Sequence, residues 1–389
     1  MDKRSTNEIP VSELISYLTL ARTENIGAIR YRQLLNTYKN PEQALRALSS
    51  LNLKKDRSKK FNIPTTASIL REIENTFNAN AQFILYGFDD YPKLLSHIYD
   101  PPPILTVLGN KQYLDKKNIV IVGARNASLH GVQIAQNLAT ELSSYGIGIT
   151  SGLARGIDQA AHKGALYTGF TIAAIACGIN IAYPHEHTKL QNKIAEQGVV
   201  VTEFPFGAQP QATHFPRRNR LIAGLCHGCV VIEAALNSGS LITSKLALDY
   251  HKPIFAVPGS PLDPRCKGSN NLIRSGAILT EEALDVLSEI PEFSLNNSFL
   301  NSQKLALQNK TKPSKDLFSA SSKQILNKDT HHLSIEDYIL SLLSTTPVSI
   351  DTILRNAPFP ASKILSCVTL LEINSKILYQ QNGYVLKFI

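Results

Sequence analysis

Four stretches of the chain combine glycine or small hydroxyl residues with basic side chains, a pattern suited to holding phosphate. The first is Gly123-Ala124-Arg125, followed by Ser128 and Gly131. Gly123 permits a tight turn, and Arg125 offers a forked donor to phosphate oxygens. The second is Ser151-Gly152-Leu153-Ala154-Arg155-Gly156-Ile157-Asp158, with His162 beyond it. Backbone N–H groups around Gly152 at a helix start would form an anion site, with Ser151 and Arg155 adding donors. Asp158 suits capping of that helix, and His162 suits packing or orienting the loop. The third is Phe215-Pro216-Arg217-Arg218-Asn219-Arg220. Its arginines would grip phosphates while Phe215 stacks on a base, which is how single strands are held. At least one of the three could instead pair with carboxylates such as Glu203 and Glu233. The fourth is Ser238-Gly239-Ser240-Leu241-Ile242-Thr243, with Lys245 one turn further on. Small residues at a helix start again build a cradle, with the Ser238 and Ser240 hydroxyls as donors.

Other chemistries fit less well. The first loop is not G-x-G-x-x-G, and no acidic residue ends the second strand to hold a ribose, so a nicotinamide cofactor is not expected. No G-x-x-x-x-G-K-[ST] sequence is present. Cys226-His227-Gly228-Cys229 lacks a second cysteine pair at zinc-ribbon spacing and enters an apolar strand, which favours a core role. His185-Glu186-His187 follows Tyr183-Pro184 in a loop rather than on a helix, so no metal is expected there. The reading is of a site with neither cofactor nor metal.

The loops need a scaffold, and the sequence between 118 and 290 provides one. Strands are expected at 119–123, 147–152, 170–178, 199–204, 229–233 and 253–259. Each of the first five is followed by a helical stretch. Continuous Val/Ile runs separated by helices indicate a parallel sheet buried on both faces. This is an α/β fold with an extended Rossmann-like, doubly wound sheet. All four loops then sit at the carboxyl edge of the strands, where such sheets bind ligands.

The flanks differ from this core. Residues 10–50 carry short helical patterns, with Asn40-Pro41 marking a helix start. Between the first two helices, Asn25-Ile26-Gly27 reads either as a phosphate-approaching hairpin of the helix-hairpin-helix kind or as a plain spacer. The run from Lys54 to Lys60 is a basic loop, read as a solvated linker or a phosphate-attracting arm. In 291–330, Ser, Asn and Lys fill 18 of the 40 positions, which is linker composition. Beyond it, helices at 334–343, 350–356 and 361–374 precede two short strands around Gln381-Asn382-Gly383. Three helices and a hairpin form a winged helix, read here as an interaction module. The expected division is 1–80 helical, 81–290 Rossmann-like, 291–330 linker and 331–389 winged helix.

Composition narrows the classes. The 389 residues carry 40 Lys plus Arg against 31 Asp plus Glu, and 43% are hydrophobic. That balance excludes a disordered polyelectrolyte and fits a basic globular protein with a polyanionic partner. The excess is uneven: 81–290 holds 17 basic and 16 acidic residues, so the flanks supply most of it. The start, MDKRSTNEIP, has no apolar signal core, and no stretch is long enough to span a bilayer. Five cysteines at irregular positions make no disulfide framework. A cytoplasmic, reduced protein away from membranes is expected.

Taken together, Tyr91-Pro92, Asp100-Pro101-Pro102, Ile121-Val122-Gly123-Ala124-Arg125, the Ser151-to-Asp158 loop with His162, Gly178 with Tyr183-Pro184, Phe215-Pro216-Arg217-Arg218-Asn219-Arg220, Ser238-Gly239-Ser240-Leu241-Ile242-Thr243, Val257-Pro258-Gly259 and Gly268-Ser269-Asn270-Asn271-Leu272-Ile273 closely resemble the DprA/Smf family of DNA-processing proteins. The resemblance runs in order over about 85–285. More loosely, the flanks are similar to that family's SAM-like helical and winged-helix domains. The resemblance implies single-stranded DNA binding, a homodimer formed through the Rossmann-like domain, transfer of the strand to RecA recombinase, and no established turnover. It places strand contacts at Arg125, the Ser151-Gly152 loop, Phe215 with Arg218, and Ser238-Gly239-Ser240 with Lys245. Ala124, Cys177, Cys229 and His187 depart from the family's usual residues.

Two other readings compete. The loop order is similar to that of LOG-type nucleotide phosphoribohydrolases, but the fourth loop lacks the glutamate those enzymes carry. A scaffold acting only through its flanking modules would make the sheet-edge arginines structural. From the sequence, replacing Arg125 or Arg218 with alanine is expected to remove strand binding and leave the fold intact.

Overall fold

The computed structural model describes residues 4–53, 61–293, 334–343, 347–374, 376–380 and 383–386. The expected basic loop at 54–60 lies outside them, as does the expected linker apart from 291–293. The N-terminal helices are α1 (Val11–Arg22), α2 (Ala28–Tyr38), α3 (Pro41–Leu53) and α4 (Thr66–Asn78). Strand β1 (Ala81–Leu85), α5 (Lys93–Ser96) and β2 (Ile104–Gly109) follow. Next come β3 (Asn118–Gly123), α6 (Leu129–Ser144), β4 (Gly148–Ser151), α7 (Ile157–Thr168), β5 (Thr171–Ala174), α8 (Thr188–Gln197) and β6 (Val199–Thr202). The second half holds α9 (His214–Gly224), β7 (Cys229–Ile232), α10 (Gly239–Asp249), β8 (Ile254–Ala256), α11 (Lys267–Arg274), β9 (Ile278–Leu279) and α12 (Ala283–Glu289). The C-terminal elements are α13 (Ile335–Leu342), α14 (Ile350–Asn356), α15 (Ala361–Ile373), β10 (Ile377–Gln380) and β11 (Gly383–Leu386).

Among the described residues nine strands form one sheet in the order β1-β2-β6-β5-β4-β3-β7-β8-β9. The seven from β6 to β9 are parallel; six are the strands the apolar runs predict, and the short β9 was not expected. Their side chains alternate between two buried layers. Ile119 and Ile121 pack under α6, α7 and α12, while Val120 and Val122 pack with α5, α9 and α10. This two-sided burial explains why the strands carry no polar alternation.

Two differences from the expected sheet stand out. Strands β1 and β2 add an antiparallel edge, β2 pairing with β6. Helices α1 and α4 lie on this edge, with Leu14, Leu18, Ile69 and Ile73 against Phe83, Leu85 and Ile104. The N-terminal helices are thus packed on the sheet itself. The second difference is at β5, which ends at Ala174, whereas a strand was expected to run to 178. The chain turns away because the Gly178 N–H bonds the Ala208 carbonyl. A Cβ on Gly178 would lie 2.6 Å from the Gly207 nitrogen.

The turn between α1 and α2 forms as expected, with Asn25 in the left-handed region at φ 66°, a conformation Asn tolerates. The winged helix also forms, its three helices enclosing Ile339, Ile353, Ile364, Val368 and Leu371. Val348 bridges to Tyr384 beside the β10–β11 pair. Arg265 joins this unit to the sheet, donating to the carbonyls of Ser341 at 3.1 Å and Leu343 at 2.5 Å. Among the described residues no helix is long and apolar enough to cross a membrane.

Candidate functional site

The order in which strands are added reverses between β3 and β7, where an open α/β sheet usually leaves its ligand crevice. Here a side chain fills that point. Glu233, just past β7, has φ 49°, and its buried carboxylate accepts from the Ser128 N–H at 2.8 Å and from the Ser128 hydroxyl. Ser128 Oγ in turn accepts from the Gly131 N–H at 3.0 Å, capping α6. A Cβ on Gly131 would overlap the Glu233 carboxylate. The open space lies instead over β3 to β6.

That space is a cleft of about 790 Å³, within the usual size of ligand sites. Arg125 enters it from the loop after β3, Gly152 and Arg155 from the loop after β4, Tyr183 and Glu186 from the segment after β5, and Phe215 and Arg218 from α9. Among the described lining residues, three arginines face one carboxylate, Glu186. The wall is aromatic: the Tyr183 and Phe215 ring centroids are 5.5 Å apart. The Arg125 guanidinium lies 5.4 Å from the Phe215 centroid, and that of Arg218 lies 5.9 Å from it. A cation over a half-exposed ring suits a ligand that is anionic along one side and flat on the other.

The three arginines differ in availability. Arg125 is exposed and makes no ion pair among the described residues. Arg155 is exposed but paired to Glu186, its Nη2 donating to Oε2 at 2.9 Å. Arg218 is only 5% exposed. Its Nη1 donates to the carbonyls of Gly152 and of Ala174, the latter at 2.7 Å. Burial lowers its pKa to about 10, opposed by the nearby Asp158 carboxylate, so it stays charged at neutral pH. It sets the shape and charge of the cleft floor while reaching Phe215 from below.

The second loop folds differently from a phosphate cradle. Its amides are already bound: Asp158 Oδ2 accepts from the N–H of Gly152 at 3.1 Å and of Ala154 at 3.3 Å. Asp158 sits inside α7 rather than capping it, and occupies the place the sequence assigns to a ligand oxygen. Burial raises its carboxyl pKa, while Arg218 and these N–H bonds hold it down. Ser151 is fully buried, its hydroxyl donating to the Ile121 carbonyl at 2.7 Å. A side chain at Gly152 would meet Arg218, its Cβ lying 2.6 Å from Cζ. His162 is buried with Nδ1 2.7 Å from the Thr171 hydroxyl. Burial, and then His187 and Arg218, lower its pKa to about 3. It holds β5 as a neutral ring.

The remaining expected residues lie elsewhere. Gly123 is packed with no room for a side chain, 2.6 Å from Ile157 Cγ1 at the Cβ position. Asn219 is buried and accepts from Arg218 Nε at 3.3 Å. Arg217 and Arg220 turn to the opposite side of α9, into a separate groove shared with α1, α2 and their turn. There Arg220 pairs with Glu203 and, at 3.1 Å, with Asp100, and Arg217 pairs with Glu203 at 3.2 Å. The split follows helical spacing: 215 and 218 share one face, 217 and 220 another. Ser238, Gly239 and Ser240 form the start of α10, Ser238 capping it through the Ser240 N–H, and Lys245 lies midway along the helix. They lie beyond the Glu233 plug and do not line the cleft. Tyr183 and Glu186 are among the lining residues that the sequence did not assign to the site. The aromatic at Tyr183, just before the short His185-Glu186-His187 loop, is the signal that pointed there.

Fold and site define an α/β protein with a helical N-terminal unit, a cationic and aromatic cleft at the sheet's carboxyl edge, and a C-terminal winged helix. Family models match each of the three regions of the chain. The model of DNA recombination-mediator protein A matches residues 82–291, that of the DprA-like N-terminal HHH domain 12–75, and that of the DprA winged helix domain 331–380. The chain belongs to the DNA recombination-mediator protein A family, also known as DprA/Smf. It is 43% identical over 202 residues to the DNA processing protein DprA of Streptococcus pneumoniae, spanning 52% of this chain and 71% of that protein. The X-ray structure of the S. pneumoniae protein aligns with TM-score 0.60 and 32% identity, over 72% of this chain and 98% of that one. A structure of DNA processing protein A from Helicobacter pylori, described for its single-stranded DNA binding mode, aligns over 57% of this chain and 96% of that one, with 28% identity and TM-score 0.48.

Proposed function

We propose that the chain binds single-stranded DNA without turnover and delivers it to RecA recombinase in the cytoplasm, during DNA uptake, transformation or recombination. The observation that carries this reading is the exposed guanidinium of Arg125 set over Phe215, beside Tyr183, in a cleft with three arginines and one carboxylate. A phosphate pairs with Arg125, and an unpaired base stacks on the ring beneath. Bases held in a duplex cannot reach that ring, so the site selects single strands. In this reading residues 81–290 form the strand-binding domain, and 1–80 and 331–389 are accessory modules. Of the contacts expected from the sequence, Arg125, Phe215 and Arg155 touch the strand. Arg218, Gly152 and Ser151 shape the floor, and Ser238, Gly239, Ser240 and Lys245 serve a strand that crosses the β7 side of the edge. The protein acts as a homodimer, two clefts on one strand raising avidity.

Competition binding tests this. A labelled oligothymidylate bound to the protein should be displaced by unlabelled single strands at concentrations roughly 100-fold below those needed of duplex, a separation of about 2.7 kcal/mol. Equal displacement by duplex would remove the role of the aromatic wall. Release of adenine from AMP in the same preparation would replace this reading with that of a nucleotide hydrolase.

A further inference from the structure

Glu186 is a carboxylate on the rim of a cleft that otherwise favours anions. It is 31% exposed and Arg155 is 58% exposed, and the two form a two-pronged pair through Nε–Oε1 and Nη2–Oε2. Arg155 follows the amide loop locked by Asp158, whereas Glu186 belongs to the loop after Tyr183. The pair therefore bridges two walls of the cleft. Rim pairs are typically worth about 1 kcal/mol or less, a two-pronged one somewhat more, and a backbone phosphate offers the same fork, so it can compete for the guanidinium.

We propose that Glu186 is an internal competitor for the strand: it holds Arg155 in the free protein and yields it to a backbone phosphate on binding. Glu186 is thus a specificity-determining residue that sets affinity by occupying a phosphate position until a polyanion displaces it. Compact anions such as inorganic phosphate bring no second contact at Arg125 and Phe215, and so displace it poorly. This inference rests on the strand-binding reading above and assigns a role within the same cleft.

The experiment is a double-mutant cycle on the full chain, read by fluorescence anisotropy with labelled oligothymidylate over a salt series. Glu186→Gln should tighten binding roughly fivefold, the scale of one unit charge removed a few ångströms from a phosphate in water-like surroundings. It should also steepen the slope of log affinity against log salt by up to about 0.7, because in the wild type the carboxylate that yields Arg155 takes up a cation and offsets one released counterion. Arg155→Ala should cost several times more affinity in the Glu186→Gln background than in the wild type. An unchanged affinity and slope in Glu186→Gln, with the wild type binding normally, overturns the competitor role alone. A gain that persists in full in the double variant overturns it as well, because the acid would then act only through its general field. A wild type without single-strand affinity defeats the underlying reading and the proposal together.

Discussion

Arg125→Ala is expected to weaken single-strand binding by roughly 10- to 100-fold, the loss of one charge-assisted phosphate contact. Its melting temperature should stay at the wild-type value. Both expectations come from position. The side chain is exposed, makes no ion pair among the described residues, and lies over the Phe215 ring. Nothing buried loses a partner when it is removed. The salt slope should fall by about 0.7, as one phosphate contact is lost. Arg125→Lys should recover part of the affinity, since a point charge remains without the fork. Full affinity in Arg125→Ala would place the strand outside this cleft.

Arg218→Ala should behave differently, although the sequence makes the two arginines look alike. The variant is expected to lose about 3–5 kcal/mol of stability, the usual cost of stripping a buried charge of its partner. Arg218 bonds the carbonyls of Gly152 and Ala174, and its charge faces the buried Asp158. Without it, two carbonyls lose their donor and a buried carboxylate loses its cation. Denaturant unfolding followed by circular dichroism measures this directly, as a fall in the midpoint at unchanged slope. An Arg218→Ala protein as stable as the wild type would contradict the assignment of this residue to the cleft floor. The expectation that alanine at 218 leaves the fold intact is thus replaced by a structural one, because the guanidinium points inward.

The parallel core was legible because its strands are short Val/Ile runs with glycine at their ends, a local signal. The antiparallel edge was not. Ala81–Leu85 and Ile104–Gly109 owe their strand state to pairing, and β2's partner β6 lies about a hundred residues further along the chain. In the site, loop positions were legible and side-chain directions were not. Gly152 was expected in a loop of amides open to a ligand anion, whereas its Cβ position is filled by Arg218. Its amide was expected to face a ligand anion, whereas it donates to Asp158 Oδ2. Arg217 and Arg220 were placed with Arg218, whereas helical spacing sends them across α9 to Glu203 and Asp100. The possibility of carboxylate pairing was visible in the sequence; which arginines take it is decided by the register of α9. The near-neutral charge of 81–290 also makes sense in three dimensions. Among the described residues Asp90, Asp100, Glu186, Glu203 and Asp263 each pair with a base of the same region, and the cleft lining sets three arginines against one carboxylate.

Photo-crosslinking tests the strand path most directly. A single-stranded oligonucleotide carrying 4-thiothymidine, irradiated in complex with the full chain and mapped by mass spectrometry, should crosslink to Tyr183 and Phe215. The yield should drop sharply in Arg125→Ala. Crosslinks confined to the winged helix at 331–389, or to the groove beside α2, with none at the two aromatic rings, would contradict the cleft as the place where the strand is held.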